Sequence, residues 1–121
     1  MIELGNMNIL FFLMMLKTNV IVIEKSPVVV EMPTTSYSEI DSCHYKGCKM
    51  ASGKRAYVGA VACPRAWELG QRIMLGGQEY VCEDRYNANL SDRIDVFQGY
   101  GKDAHRIARN YGIQNKYILI K

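Results

Sequence analysis

A chain of 121 residues is one domain's worth of polypeptide, and 49% apolar with 22% charged residues is the composition of a folded globular protein, not a disordered one. Fifteen Lys and Arg against twelve Asp and Glu leave a formal charge of +3, too small and too scattered to argue for nucleic acid. No RRM, KH, helix-turn-helix or zinc-finger signature occurs, so no nucleic-acid partner is expected; a slight positive surplus suits an anionic polymer such as a bacterial cell wall, as a weak steer only.

Residues 1–27 stand apart. The run 9–16 (ILFFLMML) is continuously apolar, is broken by Lys17, Thr18 and Asn19, and resumes at 20–23. It has less than half of the roughly 20 apolar residues a transmembrane helix needs. It reads first as a signal-like export segment or membrane anchor, although no basic residue precedes it and no clear small-residue cleavage site follows. The alternative is an extra strand or helix lying on the folded domain.

From residue 28 to 121 the pattern is short strands between turn signals, which argues for an all-β barrel or sandwich. Residues 28–32 form the first candidate strand. Residues 34–55 are polar, contain Gly and Ser, and read as a loop carrying Cys43 and Cys48. Residues 57–62 are apolar and strand-like, with Pro64 as the stop. Residues 72–75 and 79–83 flank Gly76-Gly77, a hairpin signal because consecutive glycines accept positive φ at low cost. Residues 93–97 and 117–120 bring the expected strands to six. Between the last two, Ala104, Ile107, Ala108 and Tyr111 recur at helical spacing, and Gly112 stands where a left-handed cap belongs.

The four cysteines, Cys43, Cys48, Cys63 and Cys82, allow three connectivities. No spacing is CxxC, which removes a thioredoxin-like motif and disfavours a four-cysteine zinc site. Cys43 and Cys48 could bridge if the loop containing Gly47 doubles back. Cys63 and Cys82 sit in apolar stretches and read equally as buried free thiols.

Two aspartates draw the chemistry. Alternation puts Tyr80, Cys82 and Asp84 on one face of their strand and Val81 and Glu83 on the other. In the next strand Ile94 and Val96 share the core face, while Arg93, Asp95 and Phe97 point away. If the two strands are neighbours, Asp84 and Asp95 converge at one end of the barrel. A carboxylic acid can protonate a departing glycosidic oxygen near neutral pH when burial or a nearby negative charge raises its pKa. The plainer reading is that such aspartates accept backbone hydrogen bonds or pair with Arg72, Arg85 or Arg93. Trp67, Tyr86 and Tyr100 lie in loop-like segments where sugars could stack, with local packing the better reading for Trp67. Cys63 has no histidine near it in sequence to make it a nucleophile, and His105 reads as surface or packing.

The string Ala51-Ser52-Gly53-Lys54, then Gly59-Ala60-Val61-Ala62-Cys63-Pro64, Leu69-Gly70, Tyr80-Val81-Cys82-Glu83-Asp84 and Arg93-Ile94-Asp95-Val96-Phe97 resembles the three-aspartate (3D) domain family. The resemblance covers roughly residues 30–121. It implies a six-stranded double-psi β-barrel with one short helix before the last strand, related to the catalytic domain of membrane-bound lytic transglycosylase A. It also implies action on peptidoglycan glycan strands in the cell envelope or outside the cell, in bacteria or phage, with no metal or organic cofactor. By position, Asp95 takes the role of acid and then base, and Asp84 that of its neighbouring carboxylate. Arg85, Tyr86, Arg93 and Tyr100 would border the substrate. A monomer is expected, with membrane association only through the N-terminal segment. Cys63 stands where the family carries its first aspartate, and Arg85-Tyr86-Asn87 replaces a Thr-Gly-Gly-like turn. A non-catalytic, expansin-like wall-binding module and a phage structural component are the alternatives on the same fold.

Overall fold

Strand β1 (Val28–Tyr37) continues five residues beyond the expected stop, through Pro33. The computed structural model, which describes residues 27–43 and 47–121, gives the reason: residues 28–34 pair antiparallel with β6 (Gln114–Ile120), and residues 34–37 pair parallel with β5 (Ile94–Phe97). Pro33 stands just before the strand changes partners, where a missing N–H is tolerated. The apolar run at 9–16 and His44 lie outside the described residues.

The remaining elements are α1 (Glu39–Ser42), β2 (Ala60–Ala62), β3 (Arg72–Leu75), β4 (Gln78–Asp84) and α2 (Gly101–Tyr111). The strands close into a barrel in the order β1-β5-β2-β4-β3-β6. Exchanging β1, β2 and β3 with β4, β5 and β6 reproduces every neighbour pair and its direction, including the two parallel ones, β1/β5 and β2/β4. This internal two-fold is the double-psi arrangement, and the antiparallel pair β2/β5 lies on its axis.

Alternation fills the barrel. Val61, Ile73, Cys82, Ile94, Val96 and Ile118 form the interior core, with Trp67 packed against it from the edge. A buried side chain of this size contributes about 1.5–3 kcal/mol. A second cluster, Tyr37, Met50, Ala56, Ala60 and Phe97, lies on the outer face beneath a tongue of chain, residues 48–57. Backbone bonds Ala56 N–H to Cys48 O (2.8 Å) and Met50 N–H to Lys54 O (2.9 Å) fold the tongue on itself. Gly76 and Gly77 both take positive φ, +60° and +79°, in the β3–β4 hairpin, and Gly112 ends α2 at φ +68°. Helix α2 buries Ala104 and Ala108, while Ile107 remains half exposed.

All four cysteines are paired. Cys63–Cys82 ties the residue after β2 to β4 inside the core, and Cys43–Cys48 closes the loop after α1. Burial alone does not distinguish a free thiol from a bridge, which is why the sequence left both readings open. Among the described residues no helix is long and apolar enough to cross a membrane.

Candidate active site

Thr35, Asp95, Ala62 and Asp84 form one register row across four adjacent strands, β1, β5, β2 and β4. β4 and β5 are therefore not neighbours; β2 separates them, and only the methyl group of Ala62 stands between the two aspartates in the row. Asp95 faces outward because Ile94 and Val96 fill the interior.

Strict alternation would have sent Asp84 inward with Cys82. A bulge prevents this: Val61 pairs with Cys82, but Ala62 pairs with Asp84, so Glu83 is an extra residue in β4. The bulge re-aims Asp84 onto the outer face beside Ala62. Glu83, also buried, accepts from Tyr57 Oη (2.6 Å) and Lys54 Nζ (3.3 Å) and anchors the tongue. Burial acts to raise the Glu83 carboxyl, but hydrogen bonds from Tyr57, Ser52 and Lys54 outweigh it and hold it below the ordinary range.

Strand β1 supplies the side chains that orient both aspartates, from alternate positions. Thr35 Oγ1 donates to Asp95 Oδ1 (3.1 Å), and the buried Tyr37 hydroxyl donates to Asp84 Oδ2 (3.1 Å). Asp84 Oδ1 accepts the backbone N–H groups of Ala51 (3.0 Å) and Arg85 (2.8 Å). Neither aspartate is in an ion pair among the described residues. Burial pushes the Asp95 carboxyl up to about 6, with the negative charges of Asp41 and Asp84 adding to the rise and Thr35 and Arg93 opposing it.

The two carboxylates line one external cleft of about 240 Å³, whose walls include Tyr37, Ala62, Asp41 and Ser42 of α1, and Tyr86, Asn87 and Leu90 of the β4–β5 loop. Arg85 lines it too, but its guanidinium donates to the carbonyls of Cys63, Pro64 and Trp67 and so holds the neighbouring loop. The Tyr86 hydroxyl receives the Arg93 N–H and donates to Asp92, which braces the lip. Arg93 folds its own side chain back onto Ser91. Tyr100 is not among the cleft-lining residues: its hydroxyl donates to the Ala56 carbonyl (2.6 Å) and its ring carries the Arg55 guanidinium 4.9 Å from the centroid. His105 Nδ1 sits 3.1 Å from the buried Ser38 hydroxyl and 3.8 Å from Asp41, linking α2 to α1 behind the cleft.

Sequence reading missed Thr35, Tyr37, Asp41 and Ala62. The first three fall in the stretch taken for loop, and the one available signal was the alternation of Thr35 and Tyr37 after Pro33. Ala62 shows its importance only through barrel closure.

Among solved structures, this chain is similar to several of E. coli lytic transglycosylase MltA. The crystal structure with bound chitohexaose superposes with a TM-score of 0.52 at 20% identity, over 60% of this chain and 27% of that one. Another crystal structure of MltA gives 0.52 at 19% over 64% and 28%, and an aspartate-to-alanine variant in an apo-2 form gives 0.51 at 20% over 60% and 26%. The likeness is one of fold. This chain spans little more than a quarter of the length of those proteins. No protein-family model matches the chain, and no curated protein matches it.

Proposed function

We propose that this protein is a lytic-transglycosylase-like enzyme of the three-aspartate type that cleaves peptidoglycan glycan strands. The observation that carries the reading is the half-buried Asp95 carboxyl, pushed up to about 6 chiefly by that partial burial, in one cleft with Asp84. At neutral pH and below, a useful fraction of Asp95 holds a proton, and its hydrogen-bonded carboxyl can give that proton to the glycosidic oxygen as the bond breaks. Asp84, fixed by three donors, supports the positive charge developing on the sugar. The Asp95 carboxylate then removes the proton of the sugar's own C6 hydroxyl, whose oxygen attacks C1 and closes a 1,6-anhydro ring without water. Tyr86, Asn87 and Leu90 border the glycan, and Arg85 fixes the adjoining wall. The two disulfides support an oxidising location, the cell envelope or beyond it.

The test is incubation with purified sacculi and mass spectrometry of the released muropeptides. Anhydro-sugar products that vanish in Asp95→Asn are expected. Binding to sacculi with no release, unchanged by that substitution, would instead make the protein a wall-binding module.

A further inference from the structure

Lys49 and Arg55 face each other across the tongue as antiparallel bridge partners. The backbone bonds that flank them, Ala56 N–H to Cys48 O and Met50 N–H to Lys54 O, make this a non-hydrogen-bonded pair. Side chains stand closest in such a pair, with about 4.5–5.5 Å between Cβ atoms. Cys48, Met50 and Ala56 turn to the buried cluster beneath, so Lys49 and Arg55 leave from the outer face, and both are exposed. Like charges placed directly opposite one another destabilise a strand pair. Neither cation is in an ion pair among the described residues, and the tongue, residues 48–57, contains no acid. The nearby carboxylates are already engaged, Glu83 by Tyr57 and Lys54, and Asp84 by Tyr37 and two backbone N–H groups.

The cations continue beyond this pair. The Arg55 guanidinium lies over the ring of Tyr100, and α2 starts at the next residue, where Glu39 accepts the Gly101 N–H. Lys102, Arg106 and Arg109, at i, i+4 and i+7, share one exposed side of the helix over about 10 Å. Asp103, the one acid of α2, accepts from Arg106; Lys102 and Arg109 are in no ion pair among the described residues.

We infer that the outer face of the tongue and the basic side of α2 form a docking track for a phosphodiester polymer. A tetrahedral phosphate presents oxygens in several directions and accepts from Lys49 and the Arg55 fork together, whereas a planar carboxylate is matched by the fork alone. Exposed charge contacts are individually weak, so a free phosphate gains little. A chain that repeats its charge meets several cations at a raised effective concentration. The aromatic on the track, Tyr100, already carries Arg55 on its ring, which leaves a nucleic-acid base no open face there. The track would hold the protein to a polyanionic matrix, and this role does not depend on glycan cleavage.

The test titrates the full chain with poly(glycerol phosphate) at several salt concentrations. Log K should fall against log salt by about 0.7 for each phosphate contacted on a flexible strand. Lys49→Gln with Arg55→Gln removes two contacts, so the slope should become shallower by about 1.4, with weaker binding at low salt. A thermal melt checks the fold: relief of the like-charge pair should leave the double variant melting at or above the parental temperature. Polyglutamate and oligothymidylate of equal charge should bind more weakly, as should free glycerol phosphate at the same phosphate concentration. No binding, a slope unchanged in the double variant, or equal binding of any of these three probes would overturn the track. Failure of the glycan-cleaving reading looks different: polymer binding persists while the unsubstituted protein releases no anhydro product from sacculi.

Discussion

Asp84 and Asp95 stand in one register row of the barrel, on opposite flanks of the single residue Ala62. The spacing follows from backbone geometry alone: neighbouring strands lie about 4.8 Å apart, so two strand steps separate the aspartate backbones. Both side chains line the same cleft, and only the Ala62 methyl stands between them in the row. Ala62 and Asp95 are register partners across β2/β5, the strand pair on the internal two-fold, so one strand of that pair carries a carboxyl where the other carries a methyl.

Ala62→Leu should therefore act on the site more than on the fold. Ala62 is 2% exposed, and a leucine there costs about 1–3 kcal/mol in overpacking, a loss of a few degrees in a thermal melt. Its side chain would project between the carboxylates into the cleft. Release of anhydro-muropeptides should fall about a hundredfold, the scale of an ångström-sized misplacement. A variant that folds and cleaves at the parental rate would show that the row does not hold the reacting groups.

Asp95 also sets a pH dependence of stability. Its ordinary value of 3.8 is raised to about 6 on folding, chiefly by burial. Between those values the folded chain keeps a proton that the unfolded chain has released, so stability falls as pH rises through this window. Above about pH 6 the folded chain carries the whole cost of ionising this half-buried carboxyl, at most on the order of 3 kcal/mol. Asp95→Asn should therefore melt higher than the parent at pH 8 and show little advantage at pH 4, even as it loses activity. Melting curves at the two pH values check this; an equal difference at both would remove the burial argument.

Much of the barrel was legible because its punctuation is local. β3 runs from Arg72 to Leu75 as expected, since Gly76-Gly77 fixes the hairpin that follows it. The amphipathic spacing of Ala104 and Ala108 located α2, and Trp67 packs on the core as read. What escaped was non-local. Pro33 looks like the end of a strand until β5 is there to take over pairing from β6. The bulge at Glu83 depends on how β2 meets β4, and no run of residues within β4 announces it. Asp41 reaches the cleft only because Ser38 caps α1 and reverses the chain, its N–H donating to Asp41 Oδ2 at 2.8 Å. Alternation thus pointed to two aspartates that do line one cleft, while giving the wrong facing for Asp84.

The Thr35 hydroxyl opposes the rise at Asp95 by donating to the ionised form. Thr35→Val keeps the shape and removes the donor, leaving burial, Asp41 and Asp84 to act with only Arg93 against them. The Asp95 carboxyl should move further up by about one pH unit, the equivalent of one hydrogen bond to a charged group. Because the protonated form donates, the basic limb of the release profile should shift to higher pH by the same amount. Carbon NMR of the Asp95 carboxyl gives an activity-independent reading. An unchanged midpoint would mean that the Thr35 bond does not discriminate between the two protonation states.

The two disulfides should separate stability from site architecture. Cys63 and Cys82 lie 19 residues apart in sequence and are both fully buried, so closing that loop stabilises by about 3 kcal/mol, and replacing both with alanine also leaves a cavity between β2 and β4. Cys43 and Cys48 are only 5 apart, for which the same chain-entropy relation gives about 2 kcal/mol. Their bridge instead closes the loop between α1, which walls the cleft, and the tongue, whose Ala51 N–H holds Asp84. Cys63→Ala with Cys82→Ala should lower the denaturation midpoint more, while Cys43→Ala with Cys48→Ala should cost more glycan release per kcal/mol lost. Denaturant melts and sacculus digestion on the two double variants read both quantities. If loss of activity simply tracks loss of stability across them, the loop after α1 has no part in shaping the site.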